Sequence, residues 1–530
     1  MRRGSSGRFA VLVGAGILVS RLTGLVRERV IAHYFGSSGV ADALRAAFRI
    51  PNLLQNLFGE GVLSASFIPV YARLLASRDD AEADRVAGSV GAALAFAMAL
   101  AVALGVTLAP WLVDLVAPGF DGARRDLTVS MVRILFPGMG LLVLSAWCLG
   151  ILNSHHRFFL SYAAPVVWNL AIVAALVAFA GGRDLEDLAL VAAWAAVVGS
   201  AAQLAVQLPT TLRLARHLRP SNVAFRDPQV GTVFKNFAPA FVSRGVVQIS
   251  AYVDQLIASL LPVGAVAALG YAQTLYTLPV SLFGMAISAA ELPAMSRALG
   301  GDEEVALELR ERLSTALRRV AFLIVPSAVA FAALGDVVTA AVYETGRFGA
   351  DDVLYVWSLL AASAVGILAT TQSRLYASTW YALRDARRPL RYAIVRLLVG
   401  AAIGLLLAFR APALLGLEPR WGAAGLPLAS GLAGWLELAL LRRSLVPRIG
   451  HVTLGVGFAA RLWGVAGLAA AIAWAARPAV ADMGPLVGGG LVLGLYGALY
   501  LAGSALAGVP ESRAVVRRVL STVARPRGSA

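Results

Sequence analysis

The sequence predicts an all-α polytopic membrane protein of about 14 transmembrane helices, with two six-helix lobes in a parallel repeat and two more helices at the C-terminus. Three observations lead there. Of 530 residues, 59% are hydrophobic and only 14% charged, with a mean hydropathy of +0.75, whereas soluble domains carry about 25% charged residues. Apolar runs near bilayer length, about 20 residues, recur with short polar breaks along almost the whole chain. Finally, two pairs of distant segments read alike at equivalent places in the two halves.

The expected spans, in order, are 9–35, 40–73, 86–117, 126–153, 160–180, 187–209, 233–261, 265–296, 319–342, 353–380, 389–409, 421–441, 458–476 and 484–507. They leave no room for a separate soluble domain. Their continuity also excludes a membrane barrel, whose strands alternate in polarity over about 10 residues. Residues 1–20 have the basic start and apolar stretch of a signal peptide. No A-x-A-like cleavage site follows, and the run continues through Arg21, so it is read as part of the first span. The single cysteine, Cys148, falls within a span and is expected to serve packing.

The net charge of +16 would suit a nucleic-acid partner, but the arginines fall mostly at alternate loops, as the positive-inside rule describes. No nucleic acid is therefore expected. The basic, cytoplasmic side comprises Arg2, Arg3 and Arg8, the loops near Arg73 to Arg85, Arg213 to Arg226, Arg310 to Arg319, Arg384 to Arg391 and Arg442 to Arg448, and the tail from Arg513. Both termini then lie inside, in keeping with an even helix count. Arg124 and Arg125 are exceptions on the other side, where loops such as "FGSSG" at 35–39 are short.

The repeat pairs "FRIPNLLQNLFGEGVLSASFIPVYARLL" (48–75) with "YTLPVSLFGMAISAAELPAMSRAL" (276–299). Each has an aliphatic-Pro, a Gly-containing interruption, a second aliphatic-Pro, and an Arg four residues later: Pro69 with Arg73, Pro293 with Arg297. A second echo links "NSHHRFFLSYAAPVV" (153–167) with "LRDARRPLRYAIV" (383–395), each a basic turn before the fifth helix of a half. The resulting divisions are 1–222, 223–448 and 449–530, the last holding two helices and a basic tail. Transporters built from such halves commonly place the cargo site between them near the midplane.

The stretch Ser20 to Leu54 carries Arg21, Arg27, Glu28, Arg29, Asp42, Arg45 and Arg49 inside an apolar context. An Arg at a helix centre costs about 2.5–3.5 kcal/mol on insertion scales, so such residues normally face a bundle interior or a wet cavity. Ser20, Gly24 and Arg27 share a helical face, and Arg21 lies about 120° from Arg27. Asp42, Arg45 and Arg49 form one stripe at i, i+3, i+7. The plainest account pairs Asp42 with Arg45 at the outer interface, lets Arg29 snorkel, and has Glu28 neutralise a neighbouring Arg. Arg21, Arg27 and Arg49 then remain in excess. Guanidinium forks keep their charge when desolvated and bind oxyanions bidentately, so the cavity expects a phosphorylated anion.

At these residues a resemblance becomes specific. "SRLTGLVRERVIAHYFG", "ADALRAAFRIPNLL" and "FGEGVLSASFIPVY" resemble the opening of the lipid II flippase family, MurJ/MviN, within the multidrug/oligosaccharidyl-lipid/polysaccharide exporter superfamily. The similarity runs through "YTLPVSLFGMAISAAELPAMSRAL", "YETGRF" and "STWYALRDARRPLRYAI". It implies a bacterial inner-membrane transporter that moves undecaprenyl-diphosphate-linked peptidoglycan precursor from the cytoplasmic to the periplasmic leaflet, among membrane lipids and other cell-wall synthesis proteins. It further implies functional roles for Ser20, Arg21, Arg27, Asp42 and Arg49, with the arginines on the diphosphate. The last two helices would hold the lipid tail in a lateral groove.

Two positions depart from the family pattern. Gln55 stands in "PNLLQN" where an Arg is usual, and Gln273 and Thr274 stand where the family has an Asp-Arg pair. Arg244 in the seventh span is a candidate replacement cation. Asp254 is its nearest acidic neighbour there, but ten residues of helix separate the two by about 15 Å.

A divergent flippase for another polyprenyl-diphosphate oligosaccharide is the alternative; a cation-extruding drug transporter conflicts with the arginines. A membrane enzyme would need a metal or acid/base constellation. Asp79-Asp80 and Asp351-Asp352 fall in expected loops without such companions, and His155-His156 sits in a basic turn. No Walker A motif appears, so no nucleotide cofactor is expected. The drive is then a membrane potential, worth about 2.3 kcal/mol per charge per 100 mV, or an ion gradient of unnamed ion. Asp254 and Glu291 are the coupling candidates.

Overall fold

The structure, a computed structural model, describes residues 3–216, 218, 228–285, 287–288, 291, 295 and 302–513. Side chains of 3–15, 17, 60, 238–240, 242–251 and 302 are outside that description. The chain forms two compact units, 1–267 with 345–347, and 268–344 with 348–530. The expected division at 222/223 falls among residues 219–227, outside the described residues.

In the first unit, α1 (Arg3–Phe35) leads into α2 (Gly39–Phe58), α3 (Glu60–Ser66), α4 (Ile68–Ala76), α5 (Asp80–Thr107), α6 (Ala109–Val116) and α7 (Gly122–Ser154). Then come α8 (Phe158–Ala163), α9 (Pro165–Phe179), α10 (Leu185–Leu214) and α11 (Pro228–Ser259). α7 is the buried axis, packed by α2, α5 and α10. Phe67, Tyr71, Val86, Val90, Trp147 and Ile151 fill the core where α4, α5 and α7 meet.

The expected single span 40–73 is three helices instead. At Gly59 the chain folds back so tightly that a Cβ would lie 2.2 Å from the Gln55 carbonyl oxygen, which glycine alone allows. The second break precedes Pro69, which has no N–H to continue the ladder. Breaks before Pro110 and Pro165 divide the third and fifth expected spans for the same reason.

The second unit continues α12 (Ala265–Pro279), whose first residues belong to the first unit, into a π-helical turn at Val280–Met285. Next are α13 (Asp302–Ala333), α14 (Gly335–Tyr343), α15 (Ala350–Ala382), α16 (Arg387–Phe409), α17 (Ala411–Leu415), α18 (Gly425–Ile449), α19 (Val456–Ala475) and α20 (Gly484–Leu506). α18 packs on both α15 and α16. At Gly366 and Gly431 the α15 and α18 backbones come so close that a Cβ on Gly366 would sit 2.2 Å from Gly431 Cα, the small-residue contact that substitutes for a hydrophobic drive in lipid. α20 docks on α13 through two tyrosines. Pro326 cannot donate to the carbonyl of Phe322, and the Tyr500 hydroxyl donates to that oxygen at 2.7 Å; Tyr496 donates to the Pro326 carbonyl at 2.7 Å.

Among the described residues, ten helices are long and apolar enough to cross a membrane. The expected first, second, seventh and eighth spans are not among the ten. α1 carries Arg21, Arg27, Glu28 and Arg29, the second span is broken, and α12 is short. α11 runs unbroken over 32 residues, with side chains 238–240 and 242–251 outside the described residues.

Three turns, at Arg78, His156 and Arg384, share one helix stop. His156 and Arg384 both have φ 59°, and each ends its helix with the same bonds: Arg157 N–H to Leu152 and Asp385 N–H to Trp380, spanning five residues. These are the two basic turns that the sequence pairs, and a left-handed residue closing six-to-one bonds is a common helix stop. Pro293 and Arg297 of the other echo lie outside the described residues.

Candidate functional site

Charge enters the first unit on α1 and α2. Glu28 is only 4% exposed, and a buried carboxylate needs partners. It has two: Arg27 Nη2 at 2.5 Å from Oε1, and Arg45 Nη2 at 2.5 Å from Oε2. Two guanidinium groups therefore share one carboxylate. The α9 helix completes the seat of Arg27. Asn169 Oδ1 accepts from Arg27 Nη1 at 3.0 Å, and the guanidinium lies over the Trp168 ring at 4.7 Å. Asn169 is fixed in turn by donating Nδ2 to Thr23 Oγ1 at 3.3 Å. Arg27 Nε is buried with no hydrogen-bond partner among the described residues.

Asp42, 1% exposed, does not pair with Arg45 as the plainest account had it. Its Oδ2 accepts from Gly264 N–H and its Oδ1 from Ala267 N–H, both at 2.7 Å, with Arg124 Nη1 at 3.7 Å. Backbone donors opening a helix attract an anion more strongly than a neighbour on the same stripe can, and Arg45 goes to Glu28. Arg49 takes a third direction: its guanidinium lies 5.6 Å from the Tyr252 ring centroid, its carbonyl accepts from Tyr252 Oη at 2.7 Å, and Asp254 attracts it electrostatically. The i, i+3, i+7 stripe thus fans out to three partners.

The other expected site residues are placed as follows. Ser20 is half-buried and its carbonyl accepts from Thr23 Oγ1 at 3.0 Å; Arg21 is exposed. Gln55 is half-buried, its carbonyl bonded by Gly59 N–H at 2.9 Å. The side chain of Arg244 lies outside the described residues. In the second unit, Gln273 is exposed, and Thr274 turns its hydroxyl onto its own helix, donating to the Gly270 carbonyl at 3.0 Å. Glu291 lies 3.6 Å from Arg319 Nη1.

Trp168, Asn169 and Arg124 were not singled out as site residues by the sequence reading. The available signal was a Trp-Asn pair inside an otherwise apolar fifth span. Arg124 and Arg125, the exceptions to the charge asymmetry, both have acidic partners: Arg125 forks onto Asp114 at 2.6 and 2.8 Å, and Arg124 lies 3.8 Å from Asp121 as well as 3.7 Å from Asp42, while donating to the Gly119 carbonyl at 2.7 Å.

The loop acids and histidines have structural work. Asp79 caps α5 through Glu82 N–H at 3.1 Å, Asp352 accepts from Gly349 N–H at 3.1 Å, and Asp351 pairs with Arg420 at 2.8 Å. His155 Nε2 meets Tyr71 Oη at 3.0 Å, and burial pushes its imidazole below the ordinary value. What the described residues of the first unit offer chemically is two guanidinium groups on one carboxylate, one of them, Arg27, pre-oriented by an asparagine and a tryptophan. Such a group suits an oxyanion such as phosphate.

A family model described as "Lipid II flippase MurJ" matches residues 31–483. A Burkholderia cenocepacia protein named "Lipid II flippase MurJ" is 34% identical over 441 residues, 82% of this chain and 82% of its own length. A Rhizobium tropici protein named "Probable lipid II flippase MurJ" is 33% identical over 451 residues, 83% of this chain and 81% of its own. Among solved structures, "Lipid II flippase MurJ, inward closed conformation" superposes with a TM-score of 0.74 at 22% identity, covering 94% of this chain and 98% of that one. An inward-facing multidrug transporter of the MATE family gives 0.63 at 16% identity, over 83% and 98%. At these identities the two structures speak for the fold.

Proposed function

The chain belongs to the lipid II flippase MurJ family, and from that premise we propose that it carries lipid II from the cytoplasmic to the periplasmic leaflet of the bacterial inner membrane. It is a transporter, not an enzyme. The observation that carries the cargo reading is the seating of Arg27 inside a membrane unit: it shares Glu28 with Arg45, and Asn169 and Trp168 hold its guanidinium, a fork suited to an oxyanion. A diphosphate supplies that anion, and the Arg27 fork is already set at its angle by Asn169 and Trp168.

The proposed cycle is alternating access between lobes 1–222 and 223–448, with both termini cytoplasmic. Gln55, Gln273, Thr274 and Arg244 are proposed to line the cargo path along with Ser20, Arg21, Asp42, Arg45 and Arg49. The last two helices are proposed to seat the polyprenyl tail, which their apolar exposed residues Leu468, Ile472, Leu491 and Leu495 suit. A membrane potential or ion gradient drives the cycle. Asp254 is the better placed coupling candidate, because its charge is felt by the cargo-site Arg49, whereas Glu291 lies against Arg319.

The test is complementation of a bacterium whose own lipid II flippase can be shut off. Growth and normal cell shape restored by this chain, and not by Arg27→Ala at equal abundance, support the proposal. Lysis despite full membrane insertion contradicts it and leaves another polyprenyl-diphosphate oligosaccharide as the cargo to test.

A further inference from the structure

We propose that the second unit holds an oxyanion-binding subsite, formed by Arg374 and Arg396 around Glu437 with the hydroxyls of Tyr276 and Thr370 beside it. Glu437 on α18 is 9% exposed, and its Oε2 lies 3.4 Å from Arg396 Nη1 on α16. Arg374, one turn after Thr370 on α15, is the second cation near this carboxylate, because Thr370 lies against Gly434 on the helix that carries Glu437. Tyr276 Oη is 2.9 Å from Thr370 Oγ1, and both guanidinium groups act on that tyrosine as well. Thr370 precedes Arg374 by one turn on the same helical face. α18 passes close at this level, since a Cβ on Gly434 would lie 2.9 Å from Thr370 Cγ2. Glu437 follows Gly434 by about one turn. Four helices thus bring five polar side chains together.

Among the described residues, two guanidinium groups stand against one carboxylate in this cluster. Arg374 is exposed on the surface of its unit, and eight residues separate it from the end of α15 at Ala382, about 12 Å along the helix. An arginine at that depth faces water or an anion, or else stretches toward the interface.

Packing does not require charge at this level. Ser145 lies nine residues before the end of α7, as Ser373 does in α15. Around Ser145 the buried polar set is neutral and self-satisfied: Ser145 Oγ donates to Gln207 Oε1 at 2.6 Å and accepts from Gln203 Nε2 at 2.9 Å. The charged set of the second unit therefore has a task beyond holding helices together. It also places a cation in the unit whose expected cationic position is the neutral Thr274. The ligand class is a phosphate-type oxyanion, from either the cargo diphosphate or a phospholipid headgroup. Assigning it to the cargo rests on the flippase reading; the subsite itself does not.

The experiment uses the full chain in phosphatidylcholine nanodiscs, with undecaprenyl diphosphate and phosphatidylglycerol as separate probes and thermal unfolding as the check on folding. Arg374→Gln should weaken one probe by roughly tenfold or more, as loss of a charge-assisted bond does. The probe affected identifies the source. Arg374→Lys should recover part of the loss, since it restores charge without the fork, and Glu437→Gln should tighten binding by releasing Arg396. Folded Arg374→Gln protein that binds both probes as tightly as the unchanged chain overturns the subsite and leaves Arg374 a snorkelling residue. Failure of the unchanged chain to move lipid II would remove the cargo reading alone, because dependence of phosphatidylglycerol binding on Arg374 would still stand.

Discussion

Asn169 on α9 binds both ends of a problem posed on α1: its carbonyl oxygen receives Arg27 Nη1 at 3.0 Å while its amide nitrogen holds Thr23 at 3.3 Å. The arginine is thereby aimed before any cargo arrives. Preorganised donors lose less freedom on binding, so affinity depends on the residue that orients the fork as well as on the fork.

Replacing Asn169 with Leu should therefore raise the lipid II concentration needed for half-maximal transport roughly tenfold, the size of one hydrogen bond to a charged group, with less change in the maximal rate. Asn169→Asp, which keeps an acceptor toward Arg27 but sets a second carboxylate against its charge, should weaken affinity as well. Equal losses of maximal rate in both variants, with half-saturation unchanged, would count against orientation as its role.

Tyr500 should matter to stability through one oxygen atom. Its hydroxyl serves the Phe322 carbonyl that Pro326 leaves unbonded, and water cannot replace it inside lipid. Tyr500→Phe should cost about 1–3 kcal/mol, the penalty of an unsatisfied buried acceptor, read as a lower melting temperature in detergent. A variant with Pro326→Ala as well should regain much of the loss, because the helix can then satisfy Phe322 itself. No recovery in the double variant would show that the tyrosine acts by packing.

Acid should loosen the turn at His155. Burial lowers its pKa in the folded protein, so the unfolded chain binds the proton more readily and stability rises with pH across the interval below the ordinary histidine value of about 6.5. His155→Gln should flatten that part of the stability curve. An unchanged slope between about pH 5 and 7 would assign the acid sensitivity to other groups.

Hydropathy and glycine-proline punctuation made the helices legible, because each depends on residues close in sequence. The basic turns around His156 and Arg384 were legible too, and share one backbone form. Charge partners were legible only in part. Glu28 was expected to neutralise a neighbouring arginine and does so for Arg27, but its second partner, Arg45 on the next helix, and the seat of Arg27 on Asn169, 142 residues away, were not. Asp42 was misassigned to Arg45 for a related reason: its true partners are backbone N–H groups, which no residue pattern advertises. The cluster around Glu437 was missed because its three charges come from three helices, each carrying a single arginine or glutamate at that level.

The most direct test of the central claim is leaflet exchange in reconstituted vesicles. Fluorescent lipid II is placed in both leaflets of proteoliposomes, a membrane-impermeant quencher is added outside, and a membrane potential is applied. The unchanged chain should expose inner-leaflet lipid II to the quencher over time, and Arg27→Ala, folded and equally incorporated, should leave about half of it protected, as a sealed bilayer does. Lipid II that stays protected with the unchanged chain, at either polarity of potential and with ion gradients of either direction, would contradict the account.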